Sequence, residues 1–378
     1  MAVQKWFKNL ENRITQISQT QFQPRLFSLE WVLEGISKIY GTCAGLRLFL
    51  YEKGVLKSRK LSCTVISIGN IVAGGAGKTP MTLYLAGLLT EMGKKTIVVS
   101  RGYGGQYKGK ALIVSDGNRV LADSKLAGDE PFMMAQAGKF PVVVGKDRAG
   151  AGARGIEAFN PDVIVLDDGF QHLRLERDID LVLMDCQEPL GNTRFLPAGR
   201  LRETPLMSSS RTDALIFTRC SPGMHDNDAL NEIIGHYPGI PWFRTFHVPF
   251  ISDVFLRSDK ACPEDICDPS RLKGKKALIF SGIAKNFSFY QSVSQYGINI
   301  ADHLEFSDHY RYKDCDIEMI NTAAEKSGAD IIMTTQKDWT RLKHGIKWSA
   351  PVVVMGIRIQ FEEPERFRSF IQEKLEGR

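Results

Sequence analysis

The sequence predicts an α/β protein built on a mostly parallel sheet flanked by helices, with a second, smaller α/β unit and an N-terminal amphipathic helical segment. Three observations carry this expectation. Short apolar, β-branched runs alternate with helical stretches from residue 61 onward, the pattern of strands buried on both faces and covered by helices. A glycine-rich stretch ending in Gly77-Lys78-Thr79 follows one such run and opens a helix. Another run, Asp162 to Leu166, leads directly into Asp167-Asp168-Gly169. Together these point to a P-loop NTPase-like core.

Three zones follow along the chain. Residues 1–60 read as amphipathic helix. Trp6, Leu10, Ile14 and Ile17 recur at spacings of three and four, and after Pro24 a second series runs through Leu29, Val32, Leu33, Ile36, Ile39, Tyr40 and Cys43. Gly41 and Gly45 are expected to weaken this second helix. In residues 61–220 the expected strands are Thr64–Ile68, Thr96–Ser100, Ala111–Val114, Pro141–Val144, Asp162–Leu166, Asp180–Met184 and Asp213–Phe217, with helices at Pro80–Met92, Glu130–Gly138 and Arg148–Phe159. Residues 221–378 open on a loop from Pro222 to Asp228. Strands are then expected at Lys275–Phe280, Asp330–Thr334 and Pro351–Met355, and helices near Phe287–Tyr296, Cys315–Lys326 and Pro364–Leu375.

Composition bounds the function. The chain has 378 residues, 43% hydrophobic and 24% charged, which excludes a disordered or collagen-like chain. Its net charge of +6 lies entirely in residues 1–60, which hold ten basic and four acidic residues; the remainder is neutral. Seven cysteines without C-x-x-C spacing argue against a zinc ribbon or a disulfide framework, so reduced thiols and a cytosolic setting are expected. Residues 1–20 lack the apolar core of a signal peptide, and no run approaches the ~18–20 apolar residues of a membrane span.

The chemistry concentrates in a few motifs. In Asn70-Ile71-Val72-Ala73-Gly74-Gly75-Ala76-Gly77-Lys78-Thr79-Pro80 the glycines let backbone N–H groups converge on an anion, and the helix N-terminus adds partial positive charge. Lys78 is placed to reach the β- and γ-phosphates of a nucleotide and Thr79 to ligate Mg²⁺. Val72 stands where the strict Walker A pattern has glycine. Asp167 and Asp168 read as the accompanying carboxylates, with Gln171 and His172 directed at the same pocket; His172 alone reads as structural. Arg101-Gly102-Tyr103-Gly104 carries a cation at a strand C-terminus, where α/β folds bind ligands. From spacing, Asp129 in Gly128-Asp129-Glu130-Pro131 reads as a helix cap. Arg200-Leu201-Arg202-Glu203 is open between a phosphate or metal clamp and a solvated loop; Asp308-His309 could be acid–base machinery, but by itself reads as a turn with a solvated histidine. Lys337 falls one place late for a guanine-reading motif.

These motifs, in this order, resemble the tetraacyldisaccharide 4′-kinase family from about Pro24 to the C-terminus. The match runs through Gly69-Asn70 with Gly74–Pro80, Ser100–Gly104, Gly128–Pro131, Asp167–His172, Pro197–Gly199 with Leu201–Glu203, Ser281–Ala284, Phe306–Tyr310 and Lys337-Asp338. Leu173 and Gln336 depart from the family pattern.

The resemblance implies transfer of the ATP γ-phosphate to the 4′-hydroxyl of tetraacyldisaccharide 1-phosphate, with Mg²⁺, in lipid A biosynthesis. It makes Asp129 a candidate base, with His309 as its partner in a dyad. Asp167, Asp168, Gln171 and Glu203 become metal or nucleotide groups, and Asn70, Arg101, His172 and Arg202 the expected substrate contacts. It also implies peripheral attachment to the cytoplasmic face of the inner membrane through residues 1–60, a kinase core at 61–220 and a closing unit at 221–378, with no nucleic acid and no obligate protein partner. A P-loop kinase or ligase for a small soluble metabolite is the alternative; a nucleic-acid-dependent ATPase fits the apolar helical period of residues 1–60 less well.

Overall fold

The computed structural model describes residue 10 and residues 13–221, 223, 228–255, 272–283, 285–342 and 345–377. Trp6, Lys5, Lys8, Cys262, Cys267, Ala284 and most of the loop expected after Pro222 lie outside the described residues. In chain order the elements are α1 (Leu29–Glu52), β1 (Thr64–Asn70), α2 (Lys78–Glu91), β2 (Thr96–Ser100), β3 (Leu112–Asp116), α3 (Ser124–Ala127), α4 (Asp129–Ala137), β4 (Pro141–Val144), α5 (Arg148–Phe159), β5 (Val163–Asp167), β6 (Ile179–Asp185), α6 (Pro205–Ser209) and β7 (Ala214–Thr218). Then come α7 (Asp228–Gly235), β8 (Trp242–Phe255), β9 (Lys276–Ser281), α8 (Asn286–Gln295), β10 (Asn299–Glu305), α9 (Asp314–Ser327), β11 (Ile331–Thr335), α10 (Gln336–Trp339), β12 (Val352–Phe361) and α11 (Pro364–Glu376).

All twelve strands join one sheet in the order β10-β9-β11-β12-β8-β7-β6-β1-β5-β2-β4-β3. Its named pairs are parallel except β3–β4 and β8–β12. The P-loop strand β1 sits between β5 and β6, and Ile68 is in register with Asp167. β1 and β5 are buried through their apolar residues, as the continuous runs required, so their C-terminal ends deliver Asn70 and Asp167 to one edge.

β8 and β10 were not expected. β8 breaks its apolar residues with the polar pairs Arg244-Thr245 and Ser252-Asp253 and contains Pro249, which weakens a strand reading. It forms because its first residues extend the sheet beside β7 and the rest pairs antiparallel with β12. The sheet therefore runs through the boundary expected at residue 220. α11 returns to the first half, where Phe367 and Ile371 are buried with Met81 and Leu85 of α2.

α1 also departs from expectation: it runs unbroken through Gly41 and Gly45. Gly41 is where the helix meets the ring of Phe195; an added Cβ would stand 2.5 Å from it. The buried face of α1 is Leu33, Ser37, Gly41 and Leu48. Ser37 Oγ donates to Phe195 O (2.8 Å) and accepts from Ala198 N (2.9 Å). Trp31, Val32, Ile36, Ile39, Leu46 and Phe49 are exposed. A short helical stretch over 13–19 places Ile17 against Leu33 and Ala198.

The reduced cysteines expected from the sequence are corrected at one pair. Cys186 and Cys220 form a disulfide, with Cα atoms 5.1 Å apart and a sequence separation of 34. They follow adjacent parallel strands in register at Asp185 and Thr218, a proximity that no local spacing reveals.

Candidate active site

The phosphate loop turns sharply at Gly77, whose φ of 79° is left-handed and costs glycine little. Lys78 then starts α2. Its Nζ donates to Asn70 Oδ1 (3.2 Å) and Gly74 O (3.3 Å) and lies 3.6 Å from Asp168 Oδ1. Burial lowers its pKa, opposed by the charge of Asp168. Thr79 is buried beside it.

A second segment latches the loop. Ala73 N donates to Arg200 O (2.6 Å), Arg200 Nε to Ala73 O (2.8 Å) and Arg202 N to Ile71 O (2.7 Å). The Arg200–Glu203 stretch, open on sequence, is thus part of the site's frame. Arg202 Nη1 donates to Asp168 Oδ1 (3.0 Å) and Gln171 Oε1 (3.1 Å). Gln171 Nε2 donates to Asn70 O (2.9 Å). Glu203 is buried and paired with Arg211.

Asp167 accepts from Ser100 Oγ (2.8 Å) and Thr82 Oγ1 (3.3 Å). Burial, with the charges of Glu130 and Asp168, pushes it up to about 6. For Asp168 the burial effect is outweighed by Lys78 and Arg202, which hold it below the usual carboxylate range. Among the described residues no group of three or more His, Cys, Asp or Glu is arranged to hold a metal, but Asp167 and Asp168 with the buried Thr79 suit a hard divalent cation that takes few protein ligands and completes its shell with phosphate oxygens and water.

His172 presents Nε2 buried without a partner among the described residues, and burial and Arg148 push its pKa down to about 4. It lines a cleft of about 700 Å³ with Arg47, Lys57, Arg59 and Arg174. The basic end of residues 1–60 therefore faces this cleft. Arg101 is exposed at the end of β2, within electrostatic reach of Arg148.

Asp129 is the first residue of α4, behind Gly128, and its side chain does not cap that helix. Instead Oδ2 accepts from Arg341 Nε at 2.8 Å, and His309 Nδ1 lies 3.9 Å away. Burial would raise Asp129, but His309 and Arg341 outweigh it and lower its pKa. Next to it, Glu130 Oε1 is 2.6 Å from Lys337 Nζ. Burial would raise Glu130, but Lys337 and, after it, Lys78 outweigh that and lower its pKa. Sequence reasoning missed Glu130 and Arg341. The signal available for Arg341 was its spacing of three from Asp338, one helical turn along from the Lys337-Asp338 motif.

A strand, a glycine-rich loop closed by Gly-Lys-Thr, and carboxylates at the end of the neighbouring strand define a P-loop nucleotide-binding protein. Residues 29–376 match the model of the LpxK family, tetraacyldisaccharide-1-P 4′-kinase. A tetraacyldisaccharide 4′-kinase of Geobacter metallireducens is 37% identical over 346 residues, covering 91% of this chain and 98% of that protein. One from Desulfatibacillum aliphaticivorans is 37% identical over 349 residues, covering 91% and 92%. The crystal structure of LpxK from Aquifex aeolicus in complex with ATP superposes with a TM-score of 0.71 at 32% identity, covering 92% of this chain and all of that one. The chain belongs to the tetraacyldisaccharide-1-P 4′-kinase family.

Proposed function

We propose that this protein transfers the γ-phosphoryl group of ATP to the 4′-hydroxyl of tetraacyldisaccharide 1-phosphate, in lipid A biosynthesis. Family membership supports the reaction over the soluble-metabolite alternative. The observation that carries the site assignment is Asp129, whose Oδ2 accepts from Arg341 Nε at 2.8 Å and stands 3.9 Å from His309 Nδ1.

Val72 to Thr79 would cradle the nucleotide phosphates, with Lys78 neutralising charge that develops during transfer. Thr79, Asp167 and Asp168 would hold Mg²⁺, which when bound supplies electrostatic stabilisation of the phosphates. Gln171 and Glu203 are already engaged by Asn70, Arg202 and Arg211, which favours a framing role for them over direct ligation. Asp129 would accept the proton of the attacking hydroxyl, a poor nucleophile at neutral pH, with His309 beside it. Asn70, Arg101, His172 and Arg202 are the proposed substrate contacts, and the cationic cleft at Lys57 and Arg59 suits the acceptor's phosphate.

Residues 61–220 are read as the kinase core and 221–378 as the unit that closes on it. Peripheral attachment to the inner membrane's cytoplasmic face is supported by the exposed apolar side of α1 and its neighbouring cations. No described helix is long and apolar enough to cross a membrane. The test is transfer of ³²P from γ-labelled ATP to purified tetraacyldisaccharide 1-phosphate. A labelled lipid product is expected; label appearing only as free phosphate would defeat the reading.

A further inference from the structure

Arg341 has no part in the mechanism above, yet it bonds residues from both halves of the site. Its side chain is 3% exposed. Nε donates to Asp129 Oδ2 (2.8 Å), Nη1 to Gly282 O (2.9 Å) and Asp338 Oδ1 (3.4 Å), and Nη2 lies 3.1 Å from His309 Nδ1. Asp338 is fully buried and is itself held by Gly282 N (3.0 Å), Tyr312 Oη (3.0 Å) and Thr335 Oγ1 (2.6 Å). The guanidinium is therefore anchored from the core of the second half and reaches into the first.

A guanidinium has five donors and no acceptor. His309 Nδ1 must then be the acceptor of the Nη2 contact, and a neutral ring carries its proton on Nε2. Nδ1 has no proton to aim at Asp129, 3.9 Å away. The two residues meet through the guanidinium and not as a directly bonded pair.

We infer that Arg341 is a positioning residue for the acid–base pair, orienting the Asp129 carboxylate and fixing the Nε2–H tautomer of His309. This rests on the reading of Asp129 and His309 as that pair. The other charged or titratable groups around them are Glu130 on α4, Asp308 on the loop that carries His309, Lys337 and Asp338 on α10, and Tyr103, whose ring centroid is 6.0 Å from that of His309. A side chain that merely filled space would leave the tautomer of His309 unchanged when replaced.

The experiment is nitrogen-15 NMR of the histidine rings in the full-length protein, with the His309 signals assigned by their loss in His309→Gln. At a pH where the ring is neutral, the parent is expected to show the Nε2–H pattern. Arg341→Met is expected to show mixed tautomers, and the acid limb of its kcat profile is expected to rise by roughly one pH unit as Asp129 loses a cation. Its kcat is expected to fall about tenfold or more while KM for ATP stays within about twofold. If Arg341→Met does not fold, Arg341→Lys carries the same spectral test, because an ammonium cannot span both partners. Unchanged ring signals in the variant that folds overturn the inference. If the parent transfers no phosphate to the lipid, the kinase reading fails, and the ring spectrum still decides what Arg341 does.

Discussion

Lys337 Nζ lies 2.6 Å from Glu130 Oε1, linking α10 in the second half of the sheet to α4 in the first. Both side chains are about one-third exposed, so the pair contributes under ~1 kcal/mol to folding. Its effect on the site is larger in kind, because Glu130 also feels Lys78. In Lys337→Ala the freed carboxylate competes with nucleotide phosphate for Lys78. KM for ATP is expected to rise about fivefold, equivalent to ~1 kcal/mol, with little change in urea midpoint. An unchanged KM would mean the pair is only a surface contact.

Lys78 and Asp129 should separate binding from chemistry. Lys78→Ala is expected to weaken ATP binding and to cut turnover by about 100-fold or more. Asp129→Ala is expected to lose most turnover yet bind ATP normally in a calorimetric titration. Near-normal kcat in Asp129→Ala would remove it from the mechanism.

His247 predicts acid sensitivity. Its Nε2 is buried without a partner among the described residues, and an added Cβ on Gly77 would stand 2.7 Å from it. Burial and the charge of Arg219 push its pKa from 6.5 down to about 4. Between those values the unfolded chain binds a proton that the native ring refuses, so stability falls as pH falls through this window. His247→Asn should lose less stability than the parent on going from pH 7 to pH 4.5, by roughly 2–3 kcal/mol. Equal losses in urea titrations at the two pH values would count against this account.

Two glycines of α1 should respond in opposite directions. Gly35 has nothing within 4 Å of an added Cβ, so Gly35→Ala is expected to stabilise by up to ~1 kcal/mol through helix propensity. Gly41→Ala drives a methyl into the Phe195 ring and should destabilise by roughly 1–3 kcal/mol. Thermal unfolding of both variants distinguishes packing from propensity.

The exposed face of α1 should govern vesicle binding. Ile36→Asp combined with Ile39→Asp removes two exposed apolar groups and is expected to lower sedimentation with anionic vesicles at least about tenfold. Folding stability should change by no more than ~0.5 kcal/mol per site. Unaltered sedimentation would argue against docking through this face.

Much of this was legible in the residues because its signals are local. β2, β4 and α5 follow expectation to the residue, since each is a short apolar or capped run whose burial needs only its own pattern. β8 was hidden because its order comes from pairing with β7 and β12. α1 was misread at Gly41 because the residue that needs a glycine there, Phe195, is distant in sequence. Asp129 read as a cap because its partner Arg341 is 212 residues away.

The sequence by itself determined the α/β class, the phosphate loop, the carboxylates at the end of β5 and the kinase family, because a strand, a turn and a helix N-terminus are specified by neighbouring residues. Only the tertiary structure decided that Arg341 stands between Asp129 and His309, that Arg200 and Arg202 latch the loop, and that Cys186 meets Cys220. Those contacts arise where separate strands end side by side. Which ends meet is set by the packing of the whole sheet, and no short-range pattern records it.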